Sequence, residues 1–235
     1  MRGLFVTGTD TDVGKTYISS LLLKSLRKQG CRVGAYKPAC SGAVFRSSNE
    51  SPIWEDQQVL SEALDHQFPQ DWICPQCFLA PLAPPVAAIQ EGKIVDEKLL
   101  RTGLNVWKDQ VDGVIVEGVG GWKCPLSESM TVENLAQQLG YPVLIVAAQK
   151  LGTINHTLLT IDAVRQAGLE IAGLILNQIT AGPRDFLASN IEQILKFSEL
   201  PFVAVTDYQH QDQIQCWETA TIIDNWAIMD NPSSV

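Results

Sequence analysis

The sequence predicts an α/β protein, a single domain over residues 1–235 built on a mostly parallel central sheet with helices on both faces. Three observations carry that expectation. Stretches of strand length recur at Leu4–Val6, Val111–Glu117, Pro142–Ala147 and Ile171–Asn177, with segments of helical spacing between them. These runs are nearly continuous in apolar residues rather than alternating, as strands covered on both faces are. The first of them leads through a glycine-containing turn, Gly8-Thr9-Asp10-Thr11-Asp12-Val13-Gly14, into a helical pattern that opens at Lys15-Thr16.

Length and charge bound the rest. A chain of 235 residues can bury one sizeable core. The net charge of −9 and a pI near 4.8 speak against a general affinity for nucleic acid, which depends on cationic contacts to phosphate. No apolar run approaches the ~18 residues of a membrane span, and no secretory leader is visible, so a soluble cytoplasmic protein is expected. The six cysteines (Cys31, Cys40, Cys74, Cys77, Cys124 and Cys216) form no compact repeat, and free thiols are the default.

Taken in order, the strand at Leu4–Val6 is followed by the Gly8–Thr16 turn, which aims backbone N–H groups and a helix N-terminus at one point. Such a turn suits the phosphates of a nucleotide, with Lys15 on the outer phosphates and the Thr16 hydroxyl on a magnesium ion. Five residues separate Gly8 from Gly14, one more than the span between the glycines of the pattern G-x-x-x-x-G-K-[ST]. The helix over residues 15–28 presents Ile18, Leu21, Leu22 and Leu26 on one side and stops at Gly30. Arg32–Lys37 is a short strand that ends at Pro38. Lys37 is then either a cation at the carboxyl end of a strand, in the crevice where α/β sheets bind ligands, or a surface lysine beside a turn.

Residues 41–52 are polar and Ser-rich and read as a mobile loop over the site. A helix over 53–65 places Glu55 and Asp56 near its start, where the helix dipole alone favours a carboxylate; metal ligation is the sharper alternative for Asp56. Residues 66–92, rich in proline, read as an ordered but irregular excursion. Within it Cys74-Pro-Gln-Cys77 has no second Cys pair or His pair to complete a metal site, and reads as two ordinary loop thiols. The three histidines, His66, His156 and His210, are too dispersed for a cluster.

A helix over 96–107 leads to the strand Val111–Glu117. A buried strand rarely ends in a stray carboxylate, and Glu117 before Gly118-Val119-Gly120-Gly121 stands where magnesium is held in phosphate-loop proteins. A short helix over 131–139, with Thr131 as its N-cap, precedes the strand Pro142–Ala147. The turn Lys150–His156 opens a helix over 154–167, and the strand Ile171–Asn177 follows. Asn177 either caps a turn or reads a base with its amide. A helix over 184–197 and a strand at Phe202–Val205 complete the series, and Trp217, Ile222, Ile223, Trp226 and Ile228 suit a docked C-terminal helix.

Four segments taken together, GTDTDVGKT (8–16), YKPACSG (36–42), EGVGGWKCPL (117–126) and KLGTINH (150–156), resemble the motif set of the dethiobiotin synthetases, over residues 3–178. The resemblance implies the three-layer fold of P-loop NTPases and a homodimeric, ATP- and magnesium-dependent ligase. Its substrates would be CO2 and 7,8-diaminononanoate, which it closes to the ureido ring of dethiobiotin through a carbamate that ATP phosphorylates. It implies catalytic roles for Lys15, Lys37 and Thr11, and a magnesium shell of Thr16, Asp56 and Glu117. On the nucleotide side it implies Asp12, Val13, Gly14, Lys15, Thr16 and Tyr17 around the loop. Gly118, Val119 and Gly120 would form a backbone wall, and Asn177 with Gln178 would lie by the base. Ser41, Thr11 and Asn155 would contact substrate. Asp12 replaces the Glu most common in the family, which shortens that carboxylate's reach.

Two other functions share parts of this pattern. A partitioning-type ATPase carries a lysine five residues before the Gly-Lys lysine, where this chain has Asp10. A P-loop kinase of a small metabolite would have a basic lid, and none is visible.

Overall fold

The computed structural model describes residues 1–47, 51–180, 184–200, 204–206 and 214–215. Its centre is a seven-stranded sheet of β1 (Arg2–Gly8), β2 (Val33–Tyr36), β5 (Gly113–Glu117), β6 (Val143–Ala148), β7 (Ile171–Asn177), β8 (Ala204–Thr206) and β9 (Ile214–Gln215), in the order β2-β5-β1-β6-β7-β8-β9. Every neighbouring pair is parallel except β8–β9. β5 and β6 are buried along their whole length, and β1 and β7 at every position after the first. That burial on both faces is what their unbroken apolar runs require.

The strand order turns at β1. From there the chain passes through α1 (Lys15–Lys28) to β2 on one edge, whereas β6, α7 (Thr153–Gln166) and β7 extend the sheet the other way. Right-handed crossovers running in opposite directions place their helices on opposite faces. Accordingly α1 packs on β1, β2 and β5, and α7 on β6 and β7. Ile18, Leu22, Leu23 and Leu26 of α1 are buried, each side chain contributing about 1.5–3 kcal/mol. α6 (Val132–Leu139) begins at a capping box in which Thr131 and Asn134 satisfy each other's backbone N–H groups. α8 (Arg184–Ser198) follows β7 and packs on α7.

The segment between β2 and β5 keeps a helix within the expected 53–65 and departs from expectation in having regular elements within the excursion over 66–92. It holds β3 (Cys40–Ser41), α2 (Glu55–Ala63), α3 (Gln70–Ile73), β4 (Cys77–Phe78), α4 (Pro84–Gln90) and α5 (Glu97–Thr102), and a 3-10 turn over Gly103–Trp107 replaces the end of the expected 96–107 helix. β3 and β4 form a small parallel sheet of their own. Proline density obscured this order, although Pro84 sits at the first turn of α4, where a missing N–H costs nothing. Phe68, Trp72 and Trp107 hold the segment down as an aromatic cluster with centroids 4.7–6.2 Å apart.

The loop after Ser41 is closed at its base by two backbone hydrogen bonds between Val44 and Ile53, of 2.8 and 2.9 Å. The expected strand at Phe202–Val205 lies partly outside the described residues; its described part is β8. Asp207, His210, Cys216 and the expected C-terminal helix around Trp217–Ile228 lie wholly outside them. Among the described residues, no helix is long and apolar enough to cross a membrane.

Candidate active site

Backbone conformation sets the first part of the site. Between β1 and α1 the chain turns through Asp12 at φ 56° and Gly14 at φ 89°, so that α1 starts at Lys15 with its N–H groups facing the loop. Gly14 is obligatory on two counts. Its φ is in the left-handed region, and a Cβ there would meet Asn177 Nδ2 at 2.0 Å. Asn177 Nδ2 donates to the Val13 carbonyl over 2.8 Å, and Asn177 Oδ1 accepts from the Thr206 hydroxyl. The amide at the end of β7 therefore braces the phosphate-type loop from below. Lys15 Nζ donates to the Asp10 carbonyl at 3.0 Å, and burial, then the neighbouring Lys37, lower its pKa from the ordinary lysine value.

Strand register supplies the second part. β2 pairs with β5 so that Tyr36 faces Val116, which sets Lys37 beside Glu117 at the carboxyl ends of both strands. Lys37 is 1 % exposed, which excludes the surface-lysine alternative. Its Nζ lies 2.6 Å from Glu117 Oε1 and 2.8 Å from Asp56 Oδ2. Burial alone would lower its pKa, but Glu117 and Asp56 outweigh that and raise it, which favours the charged form of Lys37. Asp56, at the first turn of α2 and half-exposed, is itself held below the usual carboxylate range: burial works against ionisation, and Lys37 and the Thr16 hydroxyl more than offset it.

Thr16 Oγ1 lies 2.8 Å from Asp56 Oδ1 and 2.6 Å from Glu117 Oε1. One hydroxyl proton cannot serve two carboxylates at once. Glu117 Oε2 is buried without a hydrogen-bond partner among the described residues. Convergent hard oxygens with one carboxylate oxygen unsatisfied fit a magnesium ion. Thr16, Asp56 and Glu117 are thus brought together as their sequence positions suggested.

Lys15, Thr16, Lys37 and Asp56 line a cavity of about 630 Å³, with Glu117 buried behind them, and its wall includes Thr11, Asp12, Gly14, Ser41, Val119 and Gly120. Sequence reasoning missed Trp54, Pro81, Leu82 and Ala83, which close its far side. No local signal marked them, because they reach the cavity only through the β2–β5 segment. Gly118 lies beneath Val132, where a Cβ would meet that side chain at 2.9 Å. Val13 and Asn177 are buried under the loop, and Tyr17 is half-buried on α1.

Asn155 and Gln178 fall elsewhere. They line a second cavity of about 640 Å³ with Lys150, Leu151 and Phe197, at the ends of β6 and β7. In a single chain the Asn155 amide does not share the cavity of Lys37 and Ser41. Lys150 does reach toward the loop, with its Nζ 3.5 Å from Asp10 Oδ2.

The reading of Cys74 and Cys77 as two ordinary loop thiols requires correction. Cys40, which opens β3, completes a compact group of three thiols with them.

Residues 2–213 match the model of a family described as an AAA domain. The chain is 38 % identical over 210 residues to the ATP-dependent dethiobiotin synthetase BioD of Rhodopirellula baltica, covering 85 % of this chain and 82 % of that protein. It is 40 % identical over 206 residues to the protein of the same name from Bacillus subtilis strain 168, covering 88 % and 87 %. With that of Anaeromyxobacter sp. strain K it shares 44 % identity over 185 residues, or 79 % of each chain.

Proposed function

The chain belongs to the family of ATP-dependent dethiobiotin synthetases, and from that premise we propose that it closes 7,8-diaminononanoate and CO2 into dethiobiotin at the expense of ATP. The observation that carries this reading is Lys37, a buried cation placed between Glu117 and Asp56 beside Lys15 and Thr16.

The chemistry follows from what each group can do. An amine of the substrate adds to CO2 and loses a proton, giving a carbamate. ATP transfers its γ-phosphoryl group to a carbamate oxygen, which turns a poor electrophile into a carbamic–phosphoric anhydride. The second amine then attacks the carbonyl carbon, phosphate leaves, and the ring closes. Glu117 and Asp56 favour the charged form of Lys37, which acts as a positive charge on the carbamate and the moving phosphoryl group. Lys15 and the loop N–H groups bind the outer phosphates, and Thr11 and Ser41, which line the same cavity, orient the diamine. Thr16, Asp56 and Glu117 would hold a magnesium ion, which would supply Lewis-acid charge for phosphoryl transfer.

Asn155 lies on the turn that opens α7, where N–H groups suit the substrate's terminal carboxylate. Because that turn lines a different cavity from Lys37, the reading includes a homodimer in which one protomer's Asn155 turn completes its partner's site. The Asn177 amide is engaged by Val13 and Thr206, so its part in nucleotide binding is to support the loop from below and not to read the base.

The test is ADP release measured with ATP alone, then with the diamine and bicarbonate added singly and together. Turnover should need both. ATP hydrolysis indifferent to the diamine but stimulated by a protein or DNA partner would favour the nucleotide-switch alternative and overturn the proposal.

A further inference from the structure

Beside the Lys37 cavity, β3 and β4 pair Cys40 directly with Cys77, and the chain turns back from Cys74 so that its thiol joins theirs. Cys40 Sγ is 3.4 Å from Cys77 Sγ, Cys77 Sγ is 3.6 Å from Cys74 Sγ, and all three sulfurs lie within 4.8 Å of one another. Cys40 and Cys74 are buried and Cys77 is partly exposed. A tetrahedral ion with metal–sulfur bonds of about 2.3 Å holds its sulfurs roughly 3.8 Å apart, close to this spacing. The protein thus brings three thiols to ligand separation before any ion is present. A disulfide would engage two of them and leave the third stranded in the same pocket.

The backbone fixes the arrangement from both sides. Lys37 N–H donates to the Ile73 carbonyl and Cys40 N–H to the Gln76 carbonyl, so the segments carrying Cys40 and the Cys74–Cys77 turn are tied together next to the thiols. Gln57 Nε2, from α2, donates to the carbonyls of Gln70 and Cys74 and lies 3.8 Å from Cys77 Sγ, an outer partner of the kind that orients a metal-bound sulfur.

We propose that Cys40, Cys74 and Cys77 bind one thiophilic metal ion of the zinc class, with the fourth position left for water. Binding replaces the thiol protons by the ion and releases them to solvent. Three thiolates and a divalent ion leave one negative charge, and Lys37 is the neighbouring cation that balances it. The ion fastens β4, and with it the Pro81–Ala83 wall of the cavity, to the β3 strand that carries Ser41.

The full chain, purified under reducing conditions, should carry or take up one equivalent of zinc by native mass spectrometry. Cobalt(II) should give the strong visible and thiolate charge-transfer bands of a tetrahedral sulfur site. Cys40→Ser, Cys74→Ser and Cys77→Ser should each weaken zinc binding at least about 100-fold, and Cys31→Ser should not. Because a cluster variant may misfold, the wild-type protein is also titrated with a thiol reagent, where zinc should protect three thiols and a chelator expose them. A folded wild-type protein that takes up neither zinc nor cobalt, or a disulfide within the cluster under the same reducing conditions, would overturn the proposal.

Discussion

Glu117 carries more of the site than any other single residue, since one carboxylate oxygen meets both Lys37 and Thr16 and the other is unsatisfied. Glu117→Gln should keep the fold but raise the magnesium requirement at least about 10-fold and slow turnover, because an amide cannot offset the ion's charge. A magnesium titration of kcat/KM checks this; an unchanged requirement would remove Glu117 from the shell. Lys37→Ala should cost on the order of 100-fold or more in kcat, the usual loss when charge stabilisation of a transition state is removed. It should also cost about 3–5 kcal/mol in urea unfolding, because Glu117 is left buried without its cation. Thr16 and Glu117 were legible from motif and strand end alone. Lys37 was not fully so, because its burial depends on the β2–β5 register, and a sequence does not print which strands will pair. Cys40 was invisible as a partner of Cys74 and Cys77 for the same reason: 34 positions separate it from the nearer one, and only the β3–β4 pairing joins them.

Elements show where periodicity suffices and where packing takes over. The sheet strands and α1, α6 and α7 follow their apolar patterns closely, as elements long enough to average over local exceptions do. The excursion over 66–92 did not, because its helices have only four and seven residues and draw stability from contacts. The end of α5, outside it, is set by contacts too. The Tyr36 hydroxyl donates to the carbonyls of Leu99 and Leu100, and a Cβ at Gly103 would lie 2.5 Å from that oxygen, so the helix tightens into a 3-10 turn there. The phosphate-type loop is likewise an element held from outside. Gly14→Ala combines strain at φ 89° with a collision against Asn177. It should weaken ATP binding on the order of 10-fold or more, and roughly 1–3 kcal/mol of strain in the folded state should lower the melting temperature by about 2–4 °C per kcal/mol. Isothermal titration with a non-hydrolysable nucleotide beside a thermal melt separates the two effects.

At the scale of the whole molecule, Lys37 and Asn155 lie in separate cavities of one chain, which makes shared sites across a two-fold axis a sharp prediction. Lys37→Ala and Asn155→Asp should each be inactive as homodimers. When they are mixed and allowed to exchange subunits, half the dimers are hybrids with one site bearing both lesions and one bearing neither, so activity should return to roughly a quarter of wild type. Exchange without recovery would place both residues in the same single-chain site. The brace under the phosphate-type loop reaches across the chain in another sense. Val13 leaves the ribosome well before the amide that supports it, which comes from Asn177, 164 positions later, and is itself held by Thr206. At ordinary rates of synthesis that interval is on the order of ten seconds or more. The nascent chain therefore carries the nucleotide motif before it carries the amide that braces it, and the loop gains that support only once Asn177 and Thr206 have been made.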